Sequence, residues 1–161
     1  LEWAREAGLT VNLCLHGAPG GQSGHDSTGF QDEGWRPHMW DRRLTVACLE
    51  HVARVFGGHC ALSAITVLNE PDRQIATADL LLFFEEAYDA IRRHSAVTVV
   101  FPIYQRSWFL LRLWYKFPPP RLKDIAFDVH LYHCFGSTTA GLDWSSIGLR
   151  RLLTWARSGA G

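Results

Sequence analysis

The chain has 161 residues, 47% of them hydrophobic and 20% charged, enough for one domain with a real core and unlike a disordered tract. Sixteen Lys and Arg residues balance sixteen Asp and Glu, so the basic surplus that a nucleic-acid partner demands is absent. No run reaches the roughly 18 apolar residues of a membrane span. The opening LEWAREAGLT reads as the end of an amphipathic helix rather than a signal peptide. With no initiator Met before it, the chain is expected to begin inside a longer protein. Leu9–Leu15 then reads as a strand, and a long polar loop rich in glycine follows it. Trp40 to about Phe56 has helical periodicity, stopped by Gly57-Gly58. Ala61–Leu68 is the second expected strand. Thr77 to about His94 is a helix whose Leu80, Phe84, Ala87 and Ile91 form one apolar stripe. Ala96–Ile103 is a third strand, Ser107–Tyr115 a helix stopped by Pro118–Pro120, Ile125–Tyr132 a fourth strand, and Ile147–Arg157 a last helix. Cys14, Cys48, Cys60 and Cys134 form no C-x-x-C pair, so they read as buried free thiols rather than zinc ligands or a disulfide scaffold.

Strands alternating with helices imply an α/β protein with parallel βαβ units, either a doubly wound sheet or a (β/α)8 TIM barrel. In both, function belongs in the loops after the C-terminal ends of the strands. The unusual polar residues fall there each time: His16, Asn69-Glu70, Tyr104-Gln105, and His130 with Tyr132. A whole barrel typically takes ~250 residues. Four strands in 161 residues would be half of one, and the chain is expected to be a fragment.

In LHGAPGGQSGHDSTG, residues Leu15–Gly29, the glycines fit neither the dinucleotide fingerprint nor the P-loop, and no lysine is near. An esterase could use His16-Gly17 in an oxyanion hole, but the G-x-S-x-G elbow is missing. In TVLNEPD, Glu70 is a strand-end carboxylate preceded by Asn69 and fixed by Pro71, a candidate general acid. In AFDVHLYHCF, alternation puts Asp128, His130 and Tyr132 on one strand face. Phe127, Val129 and Leu131 fall on the other, under the helices. A metal site at His130 and His133 is disfavoured because odd spacing on a strand points the rings apart. Most aromatic residues read as packing; Trp35, Trp40 and Trp108 lie in or next to loops where rings could stack on sugar, but ordinary packing is the reading preferred for each.

LHGAPGGQSGHDSTG, LNEP (Leu68–Pro71) and DVHLYHCF (Asp128–Phe135), in this order, resemble glycoside hydrolase family 5, and within it the exo-β-1,3-glucanases of fungal cell walls. The resemblance covers most of the chain. It implies a (β/α)8 barrel of which residues 1–161 carry about the third to sixth βα units of a single catalytic domain. It implies retaining hydrolysis of β-glucan or a related oligosaccharide without metal or cofactor, outside the cell or in its wall. Glu70 matches the family's acid/base, and Asn69 the neighbour that contacts the sugar 2-hydroxyl. His16, Asp26, His130 and Tyr132 match further substrate-site positions. Retaining chemistry needs a second carboxyl ~5–5.5 Å away as nucleophile. In the family this is a glutamate ending the seventh strand, after the helix in which this chain stops, so the fragment alone is expected to be inactive. His25 stands where these glucanases carry phenylalanine, and Cys14 where they carry aspartate. A non-catalytic carbohydrate-binding relative, a β-1,4-glucanase or mannanase, and an esterase are the competing readings.

Overall fold

The computed structural model describes residues 1–29, 31–104, 119 and 121–130. Its elements run α1 (Glu2–Glu6), β1 (Val11–Cys14), α2 (Arg42–Phe56), β2 (Leu62–Thr66), α3 (Thr77–Arg92), β3 (Thr98–Ile103) and β4 (Ile125–Val129). The expected strands and helices are all found among these, one to four residues shorter at some ends. The helices expected at 107–115 and 147–157 lie outside the described residues, as do Trp108 and Cys134. No helix among the described residues is long and apolar enough to cross a membrane. Residues 1–129 form one unit, and His130 is the first residue of a second.

The four strands pair in chain order β1-β2-β3-β4, all parallel. Parallel neighbours need crossover connections, and α2 and α3 supply them between β1, β2 and β3. Register sorts the side chains into two faces. Leu13, Ile65, Val99 and Ile125 align across the sheet, followed by Phe101 and Phe127. This face packs into the core with the α3 residues Leu80, Phe83, Phe84, Ala87 and Ile91, each fully buried. The predicted stripe is therefore correct but wider, because Phe83 and Tyr88 are buried beside it. Aromatic contacts bind the layers. Trp40 meets Phe83 edge-on at 5.0 Å, Phe84 stacks on Phe101 at 4.7 Å, and Phe101 touches Phe127 at 6.2 Å between centroids.

The opposite face carries Asn12, Cys14, Ala64, Thr66, Thr98, Val100, Ala126 and Asp128, small or polar side chains outside the hydrophobic cluster. Asn12 and Thr66 hydrogen-bond across it at 2.8 Å.

Helix ends follow local chemistry. The Asp41 side chain accepts from Leu44 N at 2.8 Å and caps α2. At the other end Gly57 is the C-cap, and a Cβ there would meet Ala53 O at 2.2 Å and Ser95 Cβ at 2.6 Å. The glycine is needed for close approach of the two segments, not for its backbone angle.

Trp35 and Trp40 are buried, with indole N–H groups donating to Gly21 O and Thr45 Oγ1 at 3.0 Å each, so they pack the loop, as the packing reading has it. Two expectations are corrected. The thiols are not buried: Cys14 at the end of β1 and Cys60 in the turn before β2 are exposed, while Cys48 is half-buried. Val129 is 47% exposed rather than packed under helices, because it is the last residue of β4, past the core contacts of Phe127.

Candidate active site

The loop after β1 and the loop after β2 meet at the C-terminal end of the sheet. The β1 loop is built by backbone chemistry that its glycines allow. Gly20 has φ 75°, and a Cβ there would collide with Met39 O at 1.8 Å, so the chain crosses itself at that point. The Ser23 and Thr28 side chains are buried. Thr28 Oγ1 donates to His25 O at 2.8 Å, closing a one-turn 3-10 helix over Asp26–Thr28.

His16, two residues past β1, is exposed with its imidazole Nε2 3.3 Å from Asn69 Nδ2. The same amide donates to Ser27 O at 3.2 Å. Asn69 and Glu70 follow β2 and are buried, at 5% and 6% exposure. Glu70 has φ 40°, the left-handed region that a non-glycine residue seldom adopts and that a residue before proline normally avoids for extended backbone. Such strain collects at functional sites. The second such residue among those described is Asp124, in the turn before β4.

The structure thus joins His16, Asn69 and, through its neighbour Ser27, the segment that carries Asp26. Asp26 itself is exposed at the start of the short helix. His130 follows the last residue of β4, and Tyr132 lies outside the described residues. Asp128 lies on the same sheet face as Cys14. Partial burial and the Asp128 carboxylate together push the Cys14 thiol above the ordinary cysteine range.

The residue that the sequence did not single out is Gln22. It is fully buried, and its amide bonds the backbones of both loops. A glutamine within GGQSG looks like ordinary loop polarity, and only the fold reveals where its amide goes. Asp72 is also buried, with Oδ1 accepting from Gln74 N at 2.7 Å and Oδ2 3.6 Å from His25 Nε2. Asp72 and His25 line an open cleft of 680 Å³, with Asp32, Glu33, Trp35 and Arg73 among its walls.

No family model matches the chain. It is 30% identical over 150 residues to a "Probable glucan 1,3-beta-glucosidase A" of Aspergillus fumigatus, covering 89% of this chain and 34% of that protein. It is 29% identical over 151 residues to a "Glucan 1,3-beta-glucosidase" of Pichia angusta, covering 89% and 35%. Over 103 residues it is 33% identical to "Glucan 1,3-beta-glucosidase 2" of Saccharomyces cerevisiae, covering 59% and 18%. The chain is a relative of these glycosidases, and it spans about a third of the length of the first of them.

Proposed function

We propose that the chain is the acid/base half of a retaining β-glucan glycosidase, a stretch of a (β/α)8 barrel from about the third to the sixth βα unit. The observation that carries this reading is the buried, strained Asn69-Glu70 pair at the end of β2, tied to His16 at the end of β1. The barrel reading is supported by the sheet itself. All the strands described are parallel, in chain order, and the helices between them pack on one face, as they do on the outer face of a barrel sheet. The relatives' names supply the substrate class, β-1,3-glucan.

In this mechanism Glu70 protonates the departing glycosidic oxygen while a glutamate outside the chain attacks the anomeric carbon. Glu70 then takes a proton from the water that releases the glycosyl-enzyme intermediate. The first step needs this buried carboxyl in its protonated form, and the second needs it ionised. Asn69 holds the 2-hydroxyl through its side-chain oxygen, which accepts because both amide hydrogens face His16 and Ser27, and this contact strengthens as the ring approaches the oxocarbenium-like transition state. His16 fixes the Asn69 amide, and the family resemblance assigns Asp26, His130 and Tyr132 as further substrate-binding residues. The enzyme acts outside the cell or in its wall, where such a glucan lies. In the complete protein, Glu70→Gln should abolish hydrolysis of unactivated β-1,3-glucan, measured as reducing sugar released. Full retained activity would refute the assignment.

A further inference from the structure

Gln22 makes a set of bonds that brackets Glu70. Its Nε2 uses both hydrogens on main-chain carbonyls, His16 O at 2.8 Å and Asn69 O at 2.7 Å. Its Oε1 accepts from Ala18 N at 2.9 Å. Its own carbonyl accepts from Asp72 N at 3.0 Å. The Asn69 carbonyl belongs to the peptide that leads into Glu70, and the Asp72 N–H lies two residues beyond. Glu70, with φ 40° and Pro71 behind it, sits between these two anchors. A residue stays in so sparsely populated a conformation only where its surroundings over-determine it. The side chain that does this from the β1 loop is fully buried, so it reaches no substrate.

We propose that Gln22 is a positioning residue for the acid/base: it holds the strained Asn69-Glu70-Pro71 turn in place against the end of β1, and so aims the Glu70 carboxyl at the glycosidic oxygen. The inference rests on the reading of Glu70 as general acid. The bonds are directional. Gln22→Glu keeps size and shape but sets a carboxylate oxygen, in place of Nε2, against the His16 and Asn69 carbonyls. Gln22→Met keeps the approximate volume and removes every side-chain bond. Both therefore release the turn, while a role in filling space would leave both near wild type.

The test uses the complete protein and a series of aryl β-glucosides, from dinitrophenyl to unsubstituted phenyl, with kcat/KM read as the glycosylation step. Active sites are counted with a 2-deoxy-2-fluoroglucoside inactivator, so that unfolded protein does not enter the rate. A dinitrophenolate leaves without a proton, whereas phenolate needs Glu70. Gln22→Met and Gln22→Glu should lose about 10²-fold on the phenyl glucoside, the scale of a misplaced catalytic group. They should lose little on the dinitrophenyl compound, giving a steeper dependence on leaving-group acidity than wild type. An equal loss across the series, or wild-type rates in Gln22→Met, would overturn the proposal. Glu70→Ala measured alongside separates the two claims. If it shows the steep dependence and the Gln22 variants do not, only the positioning role fails. If Glu70→Ala itself shows none, the reading of Glu70 fails.

Discussion

The side-chain amide of Asn69 stands between two fixed groups, 3.3 Å from His16 Nε2 and 3.2 Å from Ser27 O. Because the same nitrogen donates to a carbonyl on one side, the imidazole nitrogen on the other must accept. The other ring nitrogen, Nδ1, faces Cys14 Sγ at 4.0 Å. One buried amide connects the ends of two strands and the short helix of the glycine-rich loop.

Asn69→Asp should therefore harm both folding and catalysis. It replaces a double donor by a carboxylate facing Ser27 O, leaving buried polar groups unmatched at a cost of about 1–3 kcal/mol. Urea unfolding of the complete protein checks this, and an unchanged midpoint would contradict the bonding pattern.

Gly20 and Gly29 offer a paired test of the loop. Both have positive φ, 75° and 83°, but a Cβ at Gly20 would strike Met39 O whereas one at Gly29 meets nothing within 4 Å. Gly29→Ala should cost about 1–2 kcal/mol for the left-handed backbone alone. Gly20→Ala should cost clearly more, since main chain must move. Equal shifts in the two unfolding midpoints would count against the crossing at Gly20.

Cys14 gives a chemical readout of the sheet face opposite the hydrophobic core. Its raised pKa, from partial burial and then the Asp128 charge, leaves less thiolate at a given pH than an ordinary cysteine has. Iodoacetamide should alkylate it slowly at pH 8. Asp128→Asn removes a negative charge, lowers the thiol pKa and should speed the reaction. Peptide mapping of the labelled protein reads the site, and a slower or unchanged rate would show that the Asp128 charge does not raise the thiol pKa.

Much of this was legible in the chain because backbone periodicity and punctuation are local properties. The stripe of Leu80, Phe84, Ala87 and Ile91, the stop at Gly57 and the strand-end placement of His16 and Asn69-Glu70 all follow from spacing alone. What escaped was set by contacts between distant segments. Gln22 matters through Asn69, 47 residues away, and Gly20 through Met39. Cys14 read as apolar core because alternation says only that it faces away from Leu13, not that its own face is the one opposite the hydrophobic core. The strain at Glu70 was equally hidden, since Pro71 beside it argues for extended backbone.

The most direct test of the central claim is azide trapping by the Glu70→Ala variant of the complete protein. With dinitrophenyl β-glucoside, the glycosyl-enzyme should form without an acid and then accumulate, because no base activates water. Azide needs no base, so it should restore turnover and yield β-glucosyl azide, with retained configuration. Undiminished hydrolysis without azide, or an α-glucosyl azide product, would contradict the assignment of Glu70 as the acid/base.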